Sequence, residues 1–122
     1  MKLETVQGDF SVCQITSLEG VDFSREFVCL SKTDEEISLV CETAFAPPHV
    51  VASEPGWKGL KVAGVLDFGM VGVIAKISNV LAAADISIFV VSTYNTDYIF
   101  VKAACFDRCV QVLAQHGYGG LT

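Results

Sequence analysis

The sequence is poor in cations. Eight lysines and arginines stand against fourteen acidic residues, for a net charge of −6. The cations are scattered along the chain as Lys2, Arg25, Lys32, Lys58, Lys61, Lys76, Lys102 and Arg108. No stretch forms the clustered basic footprint that a phosphate backbone or an anionic lipid surface selects, so neither nucleic acid nor membrane is expected as a partner. Long apolar runs are missing too. Asp67, Lys76 and Asp85 interrupt them before the roughly 20 residues that a spanning helix needs. The first residues, Met1 to Gly8, lack the apolar core of a secretion signal.

Paired cysteine motifs are likewise absent. The five cysteines (Cys13, Cys29, Cys41, Cys105 and Cys109) are an odd number without a CxxC spacing, which argues against a secreted disulfide scaffold. Cys29 and Cys41 lie in apolar, strand-like runs, where cysteine acts as a small hydrophobe. Cys105 and Cys109 stand one helical turn apart, and two ligands alone make a poor metal site. The expectation is a soluble cytoplasmic protein with no metal and no cofactor.

Catalytic constellations are equally scarce. The two histidines, His49 and His116, have no cysteine nucleophile or carboxylate at a telling spacing. Asp34, Glu35 and Glu36 lack the spacing of a calcium loop and suit a charged hairpin tip. Ser92 and Thr93 have no base in sequence reach. No GxGxxG or P-loop spacing occurs. The chain is not expected to be an enzyme.

What is present is core. Hydrophobic residues make up 52% of the 122 and charged residues 18%, a balance that favours a folded domain over disorder. The first half reads as short strands: 9–16, then a hairpin over 26–42 with an acidic loop, then an edge strand over 49–54. Pro55-Gly56 reads as a turn and 57–66 as a further strand. The second half changes period. Val73, Ile74, Ile77, Val80, Leu81 and Ala84 recur at spacings of three and four, which predicts an amphipathic helix over 71–84. A β-branched run from Ile86 to Val91 and the segment Tyr98–Val101 predict a second hairpin. Phe106, Cys109, Val110 and Leu113 mark a second helix, closed by Gly117.

From Leu60 the order is strand, helix, strand, strand, helix, one strand short of the ferredoxin-like βαββαβ unit. Tyr118–Thr122 is too short and glycine-rich to close it, so Lys2–Val6 is expected to supply the edge. The fold class expected is α+β, two interleaved ferredoxin-like units, the first strand-rich and degenerate. Residues 1–56 form the first unit, which also lends the edge strand, and 57–122 form the second.

The stretch Leu66-Asp67-Phe68-Gly69-Met70-Val71-Gly72-Val73, its helix, and the run Ile86 to Val101 resemble an ACT domain. Ser92-Thr93-Tyr94-Asn95-Thr96-Asp97-Tyr98 carries the resemblance most specifically, supported by Trp57-Lys58-Gly59-Leu60-Lys61-Val62. The acidic hairpin through Glu36-Ile37-Ser38-Leu39-Val40-Cys41 is similar to the first half of small bacterial proteins built of two ACT-like halves. Those proteins are in turn similar to the ACT units of aspartate kinases and of the animal cytosolic arginine sensor.

The resemblance implies a non-catalytic regulatory domain whose amino-acid ligand sits between a loop of one unit and a strand of a neighbouring unit. Carried over by position, the loop is Phe68, Gly69, Met70, Val71, Gly72 and Val73. The strand contributes Ile88, Phe89, Ser92 and Thr93, with Asp97 beyond. Gly69 and Val71 replace small hydroxyl residues found in relatives, which removes side-chain donors from the loop. The implied partners are the ligand, a second copy in a homodimer, and a separate target protein.

Chemistry points to the same place. The first N–H groups of a helix lack intrahelical partners and, with the helix dipole, favour a carboxylate. Glycine lets a ligand approach closely. A carboxylate at a strand end, Asp97, is an ammonium receptor, although it is equally at home as a solvated hairpin residue. Two rival readings stand beside this one. A ligand-free interaction module would use unpaired strand edges. An acylphosphatase-like enzyme would need an arginine in the 68–73 loop, and that loop has none.

Overall fold

The computed structural model describes residues 1–64 and 71–121. Its elements run β1 (Leu3–Ile15), β2 (Val28–Lys32), β3 (Ile37–Glu42), β4 (Ala52–Val62), α1 (Val73–Ala83), β5 (Ile88–Ser92), β6 (Asp97–Lys102) and α2 (Phe106–Gln115). The architecture is α+β, as expected. The strands hydrogen-bond in the order β2-β3-β1-β4-β6-β5. By internal contacts the chain divides into Gly8–Trp57 and a second unit made of Met1–Gln7 with Lys58–Thr122. β1 and β4 therefore contribute to both.

The larger unit has the strand order β1-β4-β6-β5, with the N-terminal stretch of β1 at one side. This is the ferredoxin-like order, and its last strand comes from the start of the chain. The Ala63 amide donates to the Lys2 carbonyl at 3.0 Å, so Leu3 onward lies beside β4. The C-terminal segment adds one parallel bridge, Lys2 to Gly119. There the Leu3 amide donates to the Gly119 carbonyl at 2.9 Å.

Alternation fills this unit's core. Leu60 and Val62 of β4, with Ile99 and Val101 of β6, point to one face, where the helices cover them. Each helix buries a pair four residues apart, Ile77 with Leu81 and Cys109 with Leu113, the spacing that keeps two side chains on one stripe. α1 ends at Ala84, where the Ile86 amide returns to the Leu81 carbonyl at 3.0 Å. Asp85 sits at φ +61, a left-handed position usually held by glycine.

The smaller unit has the order β2-β3-β1-β4 and no α-helix among its residues. Its β1–β3 register sets Cys13 opposite Leu39 and Ser11 opposite Cys41. Cys13, Ile15, Leu39 and Cys41 are buried together, and Val21, Ala46 and Val50 from the loops pack over them. Loops thus do what helices do in the other unit. Arg25 fastens one of them, its guanidinium 2.9 Å from the Glu42 carboxylate and 3.8 Å above the Phe45 ring.

Both units repeat one hairpin. Val28 and Ile88, Ile37 and Asp97, Thr43 and Ala103 open matching elements at a constant offset, down to a single 3₁₀ turn after each second strand. At each tip a threonine amide donates across the turn at 2.9 Å, Thr33 to Glu36 and Thr93 to Thr96.

Two boundaries differ from the sequence reading. Pro55-Gly56 is no turn, because β4 runs through it, with Gly56 at φ +86 taking up the local distortion. Lys2–Val6 and the strand expected at 9–16 are one strand, β1, continuous through Gly8 at φ +111. No helix among the described residues is long and apolar enough to cross a membrane.

Candidate functional site

β4 ends at Val62, and Val71 stands two residues before α1. Phe68, Gly69 and Met70 lie outside the described residues. Val71 is 91% exposed. Gly72 is the N-cap of α1 in the left-handed region, φ +79 and ψ 11, and no side-chain cap bonds there. Its carbonyl accepts the first helical bond, from the Lys76 amide at 2.9 Å. The N–H groups of the first turn therefore have no intrahelical acceptor, as geometry requires of any helix start. A Cβ on Gly72 would meet nothing within 4 Å, so glycine is set here by backbone conformation.

The β5–β6 hairpin supplies the polar side chains. Ser92 and Asp97 face each other as the last cross-strand pair. The Ser92 hydroxyl donates to the Asp97 carboxylate at 2.6 Å. The Thr93 hydroxyl donates to the Thr96 carbonyl at 3.0 Å and accepts from the Thr96 amide at 3.3 Å, closing the four-residue tip. Ser92, Thr93 and Asp97 are thus brought together.

Ile88 and Phe89 are not part of that cluster. They begin β5, four and three residues before Ser92, about 13 and 10 Å along an extended strand. Their side chains point to opposite faces. Ile88 packs on the helix-covered core, whereas Phe89 stacks on Phe100 with ring centroids 4.8 Å apart.

Thr96 was missed by the sequence reading, which saw it only as turn material. It is buried, and its hydroxyl donates to the Val62 carbonyl at 2.8 Å. That bond ties the hairpin tip to the last residue of β4. Its only sequence signal is a hydroxyl at a tip position where the first hairpin carries Glu36.

No group of three or more histidine, cysteine or carboxylate side chains is placed to hold a metal among the described residues. Chemically, the arrangement offers hydrogen-bond donors at the start of α1. It also offers an oriented carboxylate with hydroxyls at the hairpin tip.

Comparison with known proteins bears on this geometry. The chain is 30% identical over 103 residues to the human cytosolic arginine sensor for mTORC1 subunit 1, an alignment covering 79% of this chain. The chain spans only 31% of that relative's length. Among solved structures, protein Atu0741 from Agobacterium tumefaciens shares 28% identity at a TM-score of 0.86, covering 97% of this chain and 90% of that one. The regulatory subunit of aspartate kinase from Thermus thermophilus shares the fold, with 10% identity, a TM-score of 0.62, and coverage of 94% of this chain and 97% of that one. The family model that matches residues 52–115 is that of the ACT domain. Its span takes in β4, the start of α1 and the whole β5–β6 hairpin, and on that match this chain belongs to the ACT domain family.

Proposed function

We propose that the chain is a non-catalytic regulatory module that binds a free amino acid. ACT domains are regulatory amino-acid-binding domains, and a relative at 30% identity is named an arginine sensor. In this reading the ligand lies between the 68–73 loop of one unit and the β5–β6 hairpin of a neighbouring unit. The N–H groups at the start of α1 take its carboxylate and Asp97 takes its ammonium. Ser92 and Thr93 line the polar end, while Ile88 and Phe89 flank the ligand further along the strand. A homodimer in the cytoplasm, acting on a separate target protein, completes the proposal.

The observation that carries it is the buried Thr96–Val62 hydrogen bond. It holds the Ser92–Asp97 pair in place against β4 of its own unit, a fixed wall for a ligand that the loop of the neighbouring unit completes. A preorganised receptor loses less entropy on binding than a mobile one.

One observation favours a second reading, a ligand-free interaction module. Ser92 already satisfies Asp97, and Thr93 is spent on its own turn. A thermal-shift panel of the twenty amino acids separates the two. Binding to the native state at 100 times Kd stabilises by about 2.7 kcal/mol, so one or a few amino acids raise Tm in a concentration-dependent way. If none does at millimolar concentration, the interaction module stands and amino-acid binding falls.

A further inference from the structure

We propose that the cleft between the start of α1 and the end of α2 is a second site, one that takes small carboxylates carrying a short apolar tail. The cleft has a volume of about 290 Å³ and lies wholly within the larger unit. Among its described lining residues Lys76 is a cation, His116 an imidazole, and none is a carboxylate. In a chain of net charge −6, a lysine facing a concavity with no acid among its described lining residues marks a local preference for anions.

The walls carry a second, independent signal. Val71 is 91% exposed and Met1 50% exposed, and both line this cleft with the half-buried Val73. Most large apolar side chains of this unit are buried, so an exposed valine and methionine beside Lys76 form an amphipathic lining. A carboxylate head on Lys76 with a tail over Val71 matches both parts.

His116 is held for the task. Its Nδ1 lies 2.9 Å from the Val112 carbonyl one turn earlier, so Nδ1 carries the hydrogen and donates. The ring is thereby fixed, and its Nε2 donates to a carboxylate only in the protonated ring. Tyr118 also lines the cleft.

This site shares Val71 and Val73 with the proposed amino-acid site, but its charged groups differ, so the two ideas fail separately. The test is an amide-resolved NMR titration of the full chain with hexanoate, and in parallel with hexylammonium as the charge-reversed probe. Expected are saturable hexanoate shifts at Val73, Lys76, Gly117 and Tyr118 and none of that pattern with hexylammonium. Lys76→Met weakens hexanoate binding roughly tenfold, the loss of one charge-assisted contact. His116→Gln weakens it less, and Asp97→Ala leaves it unchanged. Equal shifts from both probes, unaltered affinity in Lys76→Met, or no shift at millimolar hexanoate would each overturn the proposal.

Discussion

Single residues carry most of the site's logic. Asp97 is the sole carboxylate of the hairpin tip, and Ser92 aims it. Replacing it with alanine is expected to lower amino-acid affinity by at least tenfold, the usual cost of a charge-assisted contact, while leaving the stability of the unliganded chain within about 0.5 kcal/mol of wild type. Calorimetric titration beside a melt of the free protein checks both halves. Gly120 illustrates a different constraint. It sits at φ +86, and a Cβ there would lie 2.5 Å from the Leu3 carbonyl oxygen, a backbone atom that cannot step aside cheaply. Gly120→Ala is therefore expected to release the C-terminal segment from β1. Hydrogen exchange at the Leu3 amide, bonded to the Gly119 carbonyl, should accelerate. Unchanged protection would mean that the tail is held elsewhere. Asp85 offers the opposite case, since a left-handed residue that is not glycine costs about 1 kcal/mol. Asp85→Gly should raise stability by about that amount in urea unfolding.

At the scale of elements, the hairpin and its anchor matter more than any strand alone. Thr96→Val leaves the Val62 carbonyl without its buried partner and should cost about 1–3 kcal/mol. It should also weaken amino-acid binding, because the tip is no longer tied to β4. Thr96→Ser keeps the hydroxyl and should restore most of both. If Thr96→Val unfolds more readily but binds as before, the anchor has no part in the site. The two helices were legible in the sequence because three-and-four spacing is a strong signal, and Ile77, Leu81, Cys109 and Leu113 are indeed the buried positions. The borrowed edge strand was legible as well, since a unit one strand short must find one. Continuity of β1 and β4 was not. Gly8 and Pro55-Gly56 carry turn chemistry locally, and pairing to neighbouring strands overrides it by accommodating positive φ inside a strand. Both hairpins were legible, but not their constant offset, because the two copies share few residues; shape and hydrogen bonding repeat where side chains do not. At the site, glycine at the start of α1 and Asp97 at a strand end could be argued from residue type and position, whereas Ser92 came only with the family resemblance. The Thr96 bond could not, because it joins residues 34 positions apart.

For the whole molecule, two thiols make stability depend on alkaline pH. Burial, with Cys13 as a neighbour, pushes Cys41 from its ordinary value of 9.0 up to about 11. Burial, with Cys105 nearby, does the same for Cys109. Between these values the unfolded chain loses its thiol protons and the folded chain keeps them. The unfolded state then binds fewer protons, so stability falls as pH rises from about 9 to 11 and is fully present below 9. Urea midpoints at pH 8 and pH 10.5 should differ in that sense, and Cys109→Ala should remove part of the difference. Equal slopes in wild type and Cys109→Ala would show that Cys109 is not the group concerned. At this scale, too, the repeated hairpins are not equivalent. Where the second carries Ser92 and Asp97, the first carries Lys32 and Ile37, so one amino acid per chain is expected.

That count gives the most direct test. Native mass spectrometry of the chain mixed with an equimolar pool of the twenty amino acids should show one retained amino acid per chain, lost in Asp97→Ala. Spectra showing only unliganded protein at every collision energy, or identical occupancy in Asp97→Ala, would contradict the account.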